Sequence, residues 1–86
     1  MQLDADDIKP LITRLKRAHG HLASVIRMLE EGSECEDALT QLAAVNKALA
    51  RGGYALVATG LQQCLTESGP DSVDAQKLER LFLALA

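Results

Sequence analysis

The stretch from Ile8 to Leu29, IKPLITRLKRAHGHLASVIRML, decides the fold class. Apolar or small residues recur in it at Ile8, Leu11, Leu15, Ala18, Leu22, Val25 and Leu29. The steps alternate between three and four, the stripe of one amphipathic helix. Asp6 and Asp7 suit the start of that helix, because carboxylates favour the positive end of its dipole. Pro10 is expected in the first turn, where its missing N–H costs nothing. Gly20 weakens the interior by roughly 1 kcal/mol relative to Ala, which suggests close packing or a slight bend there. Glu31-Gly32-Ser33 ends the helix.

Working outward, Ser33 and Glu36 have the spacing of an S-x-x-E capping box, which starts a second helix at once and puts Cys35 in its first turn. Leu39, Leu42, Val45, Leu49, Gly53 and Leu56 continue an apolar stripe towards Leu65. Small residues crowd this helix: Ala43, Ala44, Ala48, Ala50, Gly52, Gly53, Ala55, Ala58 and Gly60. They let helix backbones approach closely. Ser68-Gly69-Pro70-Asp71 reads as a turn. A short third helix follows, with Val73, Leu78, Leu81, Phe82 and Leu85 apolar. The expectation is an all-α domain over residues 1–86, with helices at about 6–31, 34–65 and 72–85. Neither an internal repeat nor a low-complexity segment is visible.

Composition narrows the function. The 86 residues are 48% apolar but hold one Phe, one Tyr and no Trp; Leu and Ala supply most of the apolar count, so a helical core of small side chains is expected. So small a domain buries a modest share of its surface and commonly gains stability by oligomerising. No stretch approaches the roughly 18 apolar residues of a membrane span, and no leader pattern marks secretion. A cytoplasmic protein is expected, in which two cysteines serve as functional thiols or metal ligands rather than staples. No catalytic triad, paired carboxylates, phosphate loop or HExxH motif is present, so an enzyme is not expected.

The net charge of −3 argues weakly against nucleic acid, but the charges are segregated. From Ile8 to Leu29 there is no acid, while Lys9, Arg14, Lys16, Arg17 and Arg27 are basic. From Thr40 to Thr66 there is again no acid, with Lys47 and Arg51. One positive face on an acidic protein is the expectation.

Cys35 and Cys64 stand 29 residues apart at the two ends of the second helix. At 1.5 Å per residue that is roughly 43 Å, whereas a disulfide needs Cα atoms within roughly 7 Å. The two thiols of one chain therefore cannot meet, in a disulfide or around one metal ion. Between chains they can meet, if two protomers pack these helices antiparallel with twofold symmetry. The other reading of these residues is two unrelated cysteines, each a small buried hydrophobe.

Arg14-Leu-Lys-Arg-Ala-His-Gly20 resembles the R-L-K/R-R-x-x-G opening of the copper-sensitive operon repressor (CsoR) family. Arg27-Met-Leu-Glu-Glu31, Cys35, and Leu39-Thr-Gln-Leu-Ala-Ala-Val45 with Ala48 are similar to the centre of that family. The resemblance spans about Ile8 to Leu65. It implies a three-helix protomer that forms an antiparallel dimer and then a tetramer, and that represses transcription from operator DNA until an inducer binds. Arg14 and Arg51 match positions that the family uses on DNA, with Lys16, Arg17 and Lys47 as helpers. Copper sensors of the family pair the cysteine at position 35 with an H-x-x-x-C pattern that ends at position 64. Here the histidine position holds Gly60. Nickel and cobalt sensors need several histidines, and the formaldehyde sensors an N-terminal proline where Gln2 stands. Two cysteines without the histidine resemble the persulfide-sensing, CstR-like branch, in which reactive sulfur species bridge the cysteines across the dimer. The expectation is thus a persulfide-responsive repressor that needs no cofactor, with a Cu(I)-responsive repressor as the alternative. His19 and His21 are expected on the surface or facing DNA, and Tyr54 in packing.

Overall fold

The computed structural model describes residues 2–85 as three helices: α1 (Ala5–Glu30), α2 (Cys35–Ser68) and α3 (Val73–Leu85). Met1 and Ala86, the ends of the expected domain, lie outside the described residues. Both α1 and α3 pack against α2, and among the described residues they do not pack on each other. The result is one layer of helices, 51 × 25 × 13 Å.

α1 begins earlier than its acids suggest. Asp4 is the N-cap, and its carboxylate accepts from the Asp6 amide at 2.9 Å. Pro10 is therefore the sixth helical residue, in the second turn rather than the first. It lacks the N–H that would bond the Asp6 carbonyl, and that carbonyl lies on an exposed residue that water can reach.

The expected Ser33–Glu36 capping box is absent. The N-cap of α2 is Glu34, with no side-chain cap bond. Ser33 is engaged in closing α1: its amide donates to the Met28 carbonyl at 2.9 Å, and the Gly32 amide to the Leu29 carbonyl at 3.2 Å. With Gly32 at φ 80°, this is a Schellman closure. Cys35 nevertheless opens α2 as anticipated, and α2 runs on to Ser68, past the expected end near Leu65.

The buried line of α1 is Leu11, Ala18 and Val25, drawn from the expected stripe at intervals of seven. It meets Ala38, Val45 and Gly52 of α2, also at intervals of seven. The α2 stripe read from sequence behaves differently, because only Val45 of it is buried. Leu39 is 62% exposed, and Leu49 and Leu56 are exposed as well. With Ile26, Leu29, Leu81 and Leu83 they leave much apolar surface uncovered. Gly20 is not a packing point either, since a Cβ there would meet nothing within 4 Å. The close approach is at Gly52, where a Cβ would lie 2.9 Å from a Leu15 methyl.

Candidate functional site

The two cysteines differ in setting. Cys35, the first residue of α2, is exposed. It sits at a small apolar groove of about 210 Å³ lined by Val25, Leu29, Ala38, Leu39 and Leu42. Cys64, near the other end of the same unbroken helix, is 1% exposed. The Ser72 hydroxyl lies within hydrogen-bond distance, 3.4 Å from the sulfur. Ser72 also caps α3: its hydroxyl accepts from the Ala75 amide at 3.1 Å and its carbonyl from the Gln76 amide at 3.2 Å. The continuous helix between the cysteines upholds the separation of roughly 43 Å within a chain.

Gly60 lies one turn before Cys64 and is buried. A Cβ there would sit 3.6 Å from Leu78 and 3.7 Å from Leu3, ordinary contacts. It borders an apolar groove of about 420 Å³ between α2 and α3, where Leu56, Leu81 and Leu85 also lie. Among the described residues, no group of three or more His, Cys, Asp or Glu side chains could hold a metal ion within one protomer. Cys35 and Cys64 stand at opposite ends of α2, so the two thiols of one chain cannot share a metal ion. Thiolate is the soft ligand that selects Cu(I).

The basic residues fall into two groups. Arg14 and Arg17 of α1 and Arg51 of α2 line one groove of about 400 Å³, floored by Ala18 and Ala48. Close contact at Gly52 and Leu15, each adjacent to one of these arginines, holds the helices near enough to share it. Lys16 and Lys47 are exposed but do not line the groove. His21 does line it, and its Nε2–H donates to Gln41 Oε1 at 2.7 Å, which ties α1 to α2. His19 is exposed and lies outside it. Sequence reading put His21 on the surface or facing DNA and gave Gln41 no role, because nothing in the i, i+4 pattern of either helix signals a bond across helices. Tyr54 packs as expected, its ring 5.4 Å from that of Phe82 with a 50° tilt.

Residues 7–86 match the model of a family described as metal-sensitive transcriptional repressors. The chain belongs to that family. Its members are described as transcriptional repressors, and the described residues of this chain are all-helical, three helices without strands. Relatives carry the same description in finer form. The copper-sensing transcriptional repressor CsoR of Mycobacterium ulcerans is 32% identical over 80 residues, covering 93% of this chain and 68% of the relative. Its counterpart from Mycobacterium tuberculosis is 31% identical over 74 residues, 86% of this chain and 62% of the relative. The copper-sensing repressor RicR of Mycobacterium tuberculosis is 39% identical over 61 residues, 66% of this chain and 64% of the relative. The chain thus spans about two thirds of the length of the relatives it matches. No solved structure matches it at a significant level. No helix among the described residues is long and apolar enough to cross a membrane.

Proposed function

We propose that this protein is a cytoplasmic, Cu(I)-responsive repressor that holds operator DNA as an oligomer and releases it when Cys35 of one protomer and Cys64 of its partner are tied together. The copper-sensing relatives favour Cu(I) over the reactive sulfur species expected from the missing histidine. The single observation that carries the inter-chain site is the unbroken α2 between the two cysteines. DNA contact is assigned to the groove of Arg14, Arg17 and Arg51, with Lys16 and Lys47 as outlying charges. Guanidinium groups suit phosphate because they offer bidentate donors in a fixed plane. If Cu(I) binds, the Cys35 and Cys64 thiolates would hold it, and it would supply a soft-metal link between them. Tying the ends of two packed helices fixes their crossing and so shifts the arginine grooves that the α1–α2 pairs carry.

Gly60 favours a second reading. With no imidazole one turn before Cys64, the thiol pair also suits a persulfide. In that chemistry the Cys35 thiolate attacks the outer sulfur of a persulfide RSSH, giving Cys35–SSH and RS⁻. The Cys64 thiolate of the partner then attacks the Cys35 sulfur, forming a Cys35–Cys64 disulfide across the dimer and expelling HS⁻.

Intact-mass measurement after separate treatment with Cu(I) and with a persulfide donor, alongside release of a duplex selected in vitro by the protein, separates these. One Cu(I) per thiol pair with DNA release is the expected result. Covalent sulfur bridges that release DNA while Cu(I) does not would overturn the copper reading in favour of the second.

A further inference from the structure

The sensing thiol at position 64 is not ready for a partner chain. It is 1% exposed, and its sulfur lies against Ser72 of the turn that joins α2 to α3. That turn is held at one residue. Ser72 accepts from the Ala75 amide through its hydroxyl and from the Gln76 amide through its carbonyl, and its own amide donates to the Gly69 carbonyl at 3.4 Å. The same hydroxyl lies 3.4 Å from the Cys64 sulfur. Ala75, which the cap orders, is itself buried. The first turn of α3 and the thiol thus share one hydroxyl, and the sulfur is buried while that turn is docked.

From this geometry we infer that Ser72 is a latch: engagement of Cys64 and undocking of the first turn of α3 are one event. The inference rests on the reading of Cys64 as a sensing thiol, and it adds a positioning residue and a moving element to that site. While the latch is closed, the cap bonds hold the turn against the sulfur. When Cys64 takes a ligand the turn must lift, and the Ala75 and Gln76 amides lose their partners. The state of the thiol is then written into α3, which carries the partly exposed Leu81, Phe82 and Leu83. That helix is changed at the moment of sensing, at a distance from the arginine groove.

The test uses the freshly reduced full-length chain without metal or DNA, so it supports or overturns the latch whatever the fate of the copper reading. Iodoacetamide alkylates each thiolate with loss of iodide, and peptide mass spectrometry gives the two rates separately, with exposed Cys35 as the internal reference. Cys64 should react more slowly than Cys35. Ser72→Ala should raise the Cys64 rate about fivefold relative to Cys35, the shift expected when loss of a helix cap eases a local opening. Ser72→Thr, which keeps the hydroxyl, should restore slow labelling. Alkylation of Cys64 in the wild-type chain should in turn remove hydrogen-exchange protection from Ala75 and Gln76 while leaving the middle of α2 protected. Equal rates at the two cysteines, an unchanged Cys64 rate in Ser72→Ala, or full protection of α3 after alkylation would each overturn the latch.

Discussion

Leu15 and Gly52 bring α1 and α2 close together, so close that a Cβ at position 52 would lie 2.9 Å from the Leu15 Cδ2 methyl. The contact sits beside Arg14 on one helix and Arg51 on the other, and both line the same groove. Gly52→Ala asks only the end of a flexible leucine to move, and the gain of roughly 1 kcal/mol in helix propensity offsets that shift. Its thermal midpoint should stay near wild type. Gly52→Leu cannot be absorbed so simply. Overpacking of a buried position costs about 1–3 kcal/mol, and spreading the helices separates the arginines. The expected outcome is a lower midpoint together with weaker DNA binding. A Gly52→Leu protein with unchanged stability would remove the crossing from the account.

The groove itself makes a graded prediction. Arg14→Ala, Arg17→Ala and Arg51→Ala should each weaken binding to a selected duplex while leaving helicity and oligomer size intact. Lys16→Ala and Lys47→Ala should weaken it less, because those side chains lie off the groove. Affinity should fall steeply with salt, since each neutralised phosphate releases counterions. Fluorescence anisotropy across a salt series measures both effects. Equal losses at all five positions would mean diffuse attraction and no shared groove.

Much of this arrangement is legible in the chain alone, and the exceptions have physical causes. The α1 stripe predicts its buried line because one partner, α2, covers it. The α2 stripe misleads because a helix with neighbours on two sides, and apolar residues on a third, does not reveal which face meets which neighbour. Leu39, Leu49 and Leu56 read as core and are exposed in the protomer. Ser33 carries a capping signal, but it also follows Gly32, and closing α1 takes its amide first. The distance between Cys35 and Cys64 follows from helix rise alone. The burial of Cys64 does not, because it depends on where α3 folds back after Gly69.

Gly60→His separates copper from sulfur. A Cβ at position 60 makes only ordinary contacts with Leu3 and Leu78, and the groove beyond has about 420 Å³ for the ring. Stability should change by no more than about 1 kcal/mol, the scale of helix-propensity differences. The added imidazole stands one turn from Cys64 and should tighten Cu(I) binding in a chelator competition. Weaker or unchanged binding would show that position 60 does not face the thiol pair.

The uncovered leucines predict assembly. A layer 13 Å thick with Leu39, Leu49, Leu56, Leu81 and Leu83 exposed lacks the buried surface that a chain of 86 residues needs. Sedimentation in reducing buffer should show a dimer or tetramer. Leu39→Glu, which puts a charge on the face of α2 nearest Cys35, should shift it towards smaller, less stable species. A folded wild-type monomer at micromolar concentration would contradict both the assembly and the inter-chain site.

The last prediction joins assembly to sensing. Because one unbroken helix runs from Cys35 to Cys64, any bond between the two must join two chains. A persulfide donor should give a covalent dimer on non-reducing gels, reversed by reductant. In a symmetric dimer each of the two sites needs one Cys35 and one Cys64, so Cys35→Ser alone, or Cys64→Ser alone, removes a partner from both. Neither single variant should then form the Cys35–Cys64 bridge. Mixing the two variants restores one complete site per heterodimer, and the mixture should recover bridged dimer to a level set by the fraction of mixed pairs. A bond within one chain could never be rescued in this way. If the buried state of Cys64 governs the reaction, Ser72→Ala should also speed bridging in the wild-type background. Peptide mapping decides the matter. Bridges found only between Cys35 and Cys35, or only between Cys64 and Cys64, would refute antiparallel pairing of α2 and with it the proposed route from thiol to DNA.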